Sequence, residues 1–192
     1  MTTTSLSGLW RPELRRSAIL YDLSLMILGA GLVAVAAQFV IRLPWTPTPI
    51  TGQTFAVLLV GTLLGASRGA GAMLVYLLEG ASGLPVFAGG GAGVAHLLGP
   101  TGGYLIGFVF AAAVAGALAE RGWDRRVTLT ILSMSIATAV IFLCGAAWLA
   151  FFVGIDQVWT MGVGPFLPGA ALKIGLATAL LPTGWKLLSL VK

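Results

Sequence analysis

The stretch VTLTILSMSIATAVIFLCGAAWLAFFV, Val127 to Val153, decides the fold. It fills most of a run of 29 uncharged residues between Arg126 and Asp156. A membrane-crossing helix needs only about 20 predominantly apolar residues at 1.5 Å rise per residue. The spacing therefore predicts one spanning helix over Val127 to Val153. The whole chain agrees: 58% of its 192 residues are apolar and 9% charged, whereas a soluble domain carries about 25% charged residues. So little charge cannot dress a compact body in water. It excludes disorder, coiled coil and collagen, and argues against a water-soluble enzyme. Six Trp, nine Phe and 27 Gly suit a polytopic membrane protein. The single cysteine, Cys144, allows no intrachain disulfide and no cysteine metal cluster.

Outward from that run, the gaps between ionised residues predict five more helices. Asp22 to Arg42 leaves 19 uncharged residues and places a helix at about Ala18 to Ile41. Leu43 to Ile50 holds Pro44, Pro47 and Pro49, which forbid helix there. The second helix therefore starts near Gly52 and ends near Ala66, and a third covers about Gly69 to Ala81. Both are short for a bilayer. Gly83 to Gly93 is apolar but too Gly-rich for helix. A fourth helix follows Pro100, at about Gly102 to Leu118, and the sixth runs from about Pro168 to Leu190. The expected fold class is all-α, a single six-helix membrane domain over residues 1–192. Its tail is 1–17, and its outer loops are 43–52 and 83–100.

Six spans sort the cations. Arg11, Arg15, Arg16, Arg68, Arg121, Arg125, Arg126, Lys186 and Lys192 fall on one side, nine of eleven, with Arg42 opposite and Lys173 inside the last helix. The positive-inside rule makes the crowded side, with both termini, cytoplasmic. An odd number of spans would destroy this partition. The net charge of +5 thus reads as topology and anionic lipid, with no nucleic acid as partner. The first apolar run is about 24 residues long, too long for a cleaved signal h-region.

The two outer loops are apolar, although ordinary loops are polar and wet. Non-helical apolar backbone at membrane depth is tolerated where protein buries it or where it lines a cavity. The loops are expected to fold over the helix ends and roof a chamber. Alternatively they lie flat in the interface, with Trp45 and Phe87 as anchors.

The strings in these loops are Pro47-Thr48-Pro49-Ile50-Thr51-Gly52-Gln53-Thr54, Gly83-Leu84-Pro85-Val86-Phe87-Ala88-Gly89-Gly90 and Gly99-Pro100-Thr101-Gly102-Gly103-Tyr104-Leu105-Ile106-Gly107-Phe108. They resemble the BioY family, the biotin-binding S-components of energy-coupling factor (ECF) vitamin transporters, from about Ala30 to Leu180. The resemblance implies a six-helix protein of the bacterial cytoplasmic membrane with a vitamin pocket near its outer face. It also implies a membrane-embedded T-component and two ATPases as partners, no enzymatic activity and no cofactor.

Biotin offers a carboxylate, a ureido ring that both donates and accepts, and an apolar thiophane with a valeryl chain. A pocket for it needs a cation, a few placed hydrogen-bonding groups and apolar walls. Ionisable residues inside a span are expensive and read as functional. Lys173 resembles the lysine of the family's Pro-Gly-Asp-x-x-Lys motif, which contributes to the biotin site; the bland reading is a snorkelling lysine. The motif's aspartate position is Ala170 here, and the chain contains no Asn. Glu79 would supply the missing acceptor or pair with Lys173, or else sits at headgroup level. Gln53 matches a ureido group, or caps its helix. Tyr76 and Tyr104 suit pocket walls with a polar end, as they suit interface belts. Phe87 is read as a lid over the thiophane and Thr101 as a further contact. His96, alone, builds no metal site and reads as a loop residue.

Ala30 and Ala34, four apart on the first helix, let another helix approach closely. The resemblance makes this the T-component's face; self-association or intrachain packing would explain it too. No Walker motif is present, since Gly65-Ala66-Ser67-Arg68 lacks the Gly-Lys-Ser/Thr ending, so energy comes from another subunit or a gradient. A solitary biotin carrier and an S-component for another vitamin are the alternatives. A remote one is Gly80-Ala81-Ser82-Gly83, which matches the Gly-x-Ser-Gly string of rhomboid proteases. Its only available base, His96, lies 14 residues on in the same loop.

Overall fold

A computed structural model describes residues 5–12 and 14–191. The expected cytoplasmic placement of Lys192 and of the first four tail residues lies outside the described residues. Eight α-helices follow in order: α1 Arg15–Ala36, α2 Gln53–Leu64, α3 Ala66–Ala81, α4 Val94–Leu97, α5 Gly102–Ala119, α6 Val127–Val153, α7 Ile155–Val158 and α8 Leu167–Val191. Four helical stretches are long and apolar enough to cross a membrane: Arg15–Ala36, Gly102–Ala119, Val127–Val153 and Ile155–Ser189. The protein is a mostly helical, multi-pass membrane protein.

The decisive stretch folds as read, because charge precedes it and Gly154, at φ +80°, takes up a left-handed conformation that ends it. The expected first helix is corrected: α1 stops at Ala36, five residues early. The β-branched pair Val40–Ile41 forms strand β1 and pairs antiparallel with β2, Ile50–Thr51, in the register Val40↔Thr51 and Ile41↔Ile50. Prolines between them cannot donate to a helix, so the backbone bonds across the turn instead. The third helix begins earlier than expected, at Ala66. Arg68 is accommodated inside it by an ion pair to Asp22 at 2.8 Å and a hydrogen bond to Ser7 Oγ at 2.7 Å.

The core is built of small residues, including Ala30, Ala56, Ala72, Ala111, Ala112, Ala115 and Ala137, all buried. Backbones consequently lie close. A Cβ at Gly69 would sit 2.7 Å from Gly61 Cα, and one at Gly103 2.6 Å from the carbonyl of Cys144. Large apolar side chains point outward instead, such as Leu28 and Phe39 around α1 and Phe151 on α6. This inside-out arrangement suits lipid, where close packing rather than water exclusion joins helices.

The small stripe on α1 faces inward. Ala30 is fully buried, Ala34 packs on the same core, and neighbouring Gly29 abuts Val60 of α2 and Ala72 of α3. These small residues let this chain's own helices approach, with Ala30 buried in the bundle and Ala34 half-buried beside it.

At one end of the bundle the chain's charges gather. Arg11 pairs with Asp22 at 2.7 Å, and Glu120 Oε1 accepts from the Ala66 amide at 3.0 Å. Trp185 Nε1 donates to buried Asp124 Oδ2 at 2.6 Å, with the Arg125 guanidinium 4.1 Å from the Trp185 ring centroid.

Candidate ligand cavity

At the other end, both apolar loops border a partly open cavity. The Pro-rich loop contributes Thr48, Pro49, Ile50 and Thr51, and the Gly-rich loop contributes Ala88 and His96. Consecutive positive φ angles at Gly89 (+63°) and Gly90 (+81°) bend the second loop inward. Its Gly89 amide then donates to Ala37 O at 3.1 Å, tying it to the end of α1. The remaining wall comes from α2 (Gln53, Thr54, Leu58), α5 (Tyr104, Leu105, Phe108) with Thr101 just ahead of it, α6 (Thr138, Ile141, Phe142) and α8 (Ala170, Lys173), with Phe166 just before α8. The lining combines threonine, tyrosine and glutamine side chains with aliphatic and aromatic ones.

Among the described residues, Lys173 is the only charged one lining this cavity. Its Nζ donates to Thr51 O at 2.6 Å and to Thr54 Oγ1 at 2.6 Å. An ammonium has three N–H donors, so one remains for a ligand. No carboxylate lines the cavity among the described residues. A half-buried cation without a counter-ion favours an anion or a strong acceptor.

Gln53 also lines the cavity, with its amide held on both sides: Thr51 Oγ1 donates to Oε1 at 2.9 Å, and Nε2 donates to Tyr76 Oη at 2.7 Å. It does not cap α2; the Thr51 hydroxyl accepts the Gln53 amide instead. Tyr76 stands behind Gln53, donating to Val86 O at 3.0 Å. Phe87 is fully buried behind the wall rather than over the cavity. It packs edge-on against Tyr76 at 5.5 Å and stacks on His96 at 5.1 Å, and the imidazole makes the surface. Burial lowers the His96 pKa below its usual value, keeping the ring neutral at neutral pH. Tyr104 presents its ring while its hydroxyl donates to Gly162 O at 2.6 Å, and Thr101 closes the rim.

The structure thus brings Lys173, Gln53, Tyr104 and Thr101 to one cavity. Tyr76 and Phe87 form its backing. Glu79, near the end of α3, does not line the cavity. Thr48, Thr54, His96, Thr138 and Phe166 escape the sequence reading, although Thr54 and Thr48 stand inside a quoted string. A more open crevice lies beside the cavity, sharing Pro49, Ala88, His96 and Thr101 with it and, among the described residues, holding Arg42 as its one charged residue.

Fold and cavity together define a multi-pass membrane protein with a partly open cavity that holds one lysine. Residues 6–190 match the BioY family, and the chain belongs to that family. It is 40% identical over 156 residues to the probable biotin transporter BioY of Pyrococcus horikoshii, covering 81% of this chain and 91% of that one. It is 39% identical over 164 residues to the biotin transporter BioY2 of Lactococcus lactis, covering 83% and 87%. Its fold is similar to the crystal structure of an S-component for biotin from an ECF-type ABC transporter: TM-score 0.77, 24% identity, covering 90% of this chain and 95% of that one.

Proposed function

We propose that this protein binds biotin and takes it up across the cytoplasmic membrane as the S-component of an ECF transporter. It is a transport component and not an enzyme. The observation that carries this is Lys173: among the described residues the sole charge lining a partly open, largely apolar cavity, held by two protein acceptors with one N–H to spare. An amphipathic anion is the ligand such a site suits, and the relatives' names supply which one. In this reading Lys173, Gln53 and Thr101 meet the polar groups of biotin, and Tyr104 with its apolar neighbours lines the rings and chain. Tyr76 and Phe87 hold Gln53 and His96 in place, and Glu79 lies outside the ligand shell.

The chain crosses the membrane six times as one domain, with both termini cytoplasmic and the cavity toward the outer face. Support comes from the basic tail, the α2–α3 turn and the α5–α6 loop, joined at one end by Ser7–Arg68 and Ala66–Glu120 contacts. The two short helices α2 and α3 then supply the additional crossings. With 12 residues, α2 rises roughly 18 Å, so it relies on its neighbours to complete the passage. A membrane-embedded T-component and two ATPases supply the energy from the cytoplasmic side.

Calorimetric titration of the purified protein in detergent with biotin, beside thiamin, tests the reading. Saturable biotin binding with thiamin silent is expected. Folded protein that ignores biotin refutes it.

A further inference from the structure

The crevice beside the cavity has a cation of its own. Arg42 directly follows strand β1, whose Ile41–Ile50 pairing fixes the backbone there. Its guanidinium stands by the Gly-rich loop: a Cβ built at Gly89 would lie 3.2 Å from Arg42 Nη2. Glycine at 89 thus leaves the guanidinium its place, and the Gly89 N–H bond to Ala37 O holds the loop against it. Arg42 is exposed, and among the described residues no hydrogen bond, ion pair or ring contact occupies its N–H donors. No carboxylate lines the crevice among those residues either.

Room and continuity point the same way. The crevice holds about 520 Å³ and the cavity about 60 Å³, while small-molecule sites commonly hold about 300–1,000 Å³. A vitamin-sized molecule has room in the crevice as the structure stands, whereas the cavity has to widen to take one. Pro49, Ala88, His96 and Thr101 belong to both walls, so the two spaces adjoin. An arginine fork pairs with a carboxylate through two parallel hydrogen bonds and stays charged at every physiological pH. At an exposed rim, such a charge acts on the rate of association more than on the final complex.

We propose that the crevice is the ligand's entrance and Arg42 its docking residue, pairing with the carboxylate of the incoming vitamin before the vitamin moves on into the cavity. This rests on reading the cavity as a biotin site. The acid group is the one charged end of an otherwise neutral molecule, so a single exposed arginine both attracts it and orients it.

Binding and release of isotope-labelled biotin, followed by rapid filtration on the full chain in a neutral detergent, test this. Folded Arg42→Gln should associate roughly three- to tenfold more slowly at low salt and dissociate within about twofold of wild type. The gap should narrow as ionic strength rises, and Arg42→Lys, which keeps the charge, should recover most of the rate. An association rate unchanged in Arg42→Gln overturns the docking role while the biotin reading stands, and leaves the guanidinium to water or lipid phosphate. A slowed rate that ignores salt and that Arg42→Lys does not recover also overturns it, because it marks a loss of loop shape. If folded wild type does not bind biotin, the functional reading fails and this assignment with it.

Discussion

Lys173→Met removes the cavity's charge while keeping an unbranched apolar stem. Two of the three ammonium donors are committed to Thr51 O and Thr54 Oγ1, each at 2.6 Å, which leaves one for the ligand. One hydrogen bond to a charged group contributes about 1.5–3 kcal/mol. At 1.4 kcal/mol per decade, the Kd for biotin should therefore rise roughly 10- to 100-fold. The same change strips Thr51 O and Thr54 Oγ1 of their donor, so the ligand-free protein should also melt lower. Thr54→Val separates the two effects, since it removes one anchor and keeps the charge. It should cost less than about fivefold in affinity while showing part of the stability loss. Titration calorimetry for Kd and thermal unfolding in detergent read the two quantities independently. A Lys173→Met protein that is folded and binds biotin as wild type does would refute the role given to the ammonium, and would mark Lys173 as a structural tie between α8 and the β2–α2 corner.

Two further outcomes are expected. Tyr76→Phe takes the partner from both Val86 O and Gln53 Nε2, at a cost of about 1–3 kcal/mol per buried group left unsatisfied. It should lower the melting temperature clearly and biotin affinity only modestly; a variant as stable as wild type would show that the link carries no load. Burial raises the Asp124 carboxyl above its usual range, against the opposing pull of the Trp185 N–H and the Arg125 charge. Folded protein thus binds this proton more tightly than unfolded protein, so the ionised group penalises folding at neutral pH. That penalty fades as pH falls through the folded pKa toward the unfolded value. Asp124→Asn should accordingly gain most relative to wild type near neutrality, with the difference shrinking toward pH 4 in unfolding scans run across that range. A difference that grows on acidification would contradict the sign.

Much of the fold was legible because membrane solvent imposes a local rule. Charge and glycine punctuate α6 at Arg126 and Gly154, and its bounds follow from one uncharged run. Lys173 was legible for the same reason, as an intramembrane charge. Where the reading failed, a distant partner had intervened. Val40 and Ile41 look like the tail of a helix until Ile50 and Thr51 pair with them. Arg68 looks like a boundary until Asp22 and Ser7 neutralise it inside α3. Ala30 and Ala34 announce close packing without saying against what, and in the fold they join a core to which α2 and α3 also contribute. Phe87 reads as a lid, yet His96 stacks in front of it.

By itself the sequence determined a multi-pass helical membrane protein, its loop strings and its one intramembrane lysine, because hydropathy and charge act over a single helix length. Only the tertiary structure decided which polar atoms share a cavity. Lys173 meets Thr51 across 122 positions of chain, and Thr46 meets Met161 across 115. Whether a buried polar atom is satisfied depends on which distant groups the folded backbone brings within about 3 Å of it, and no local pattern encodes that.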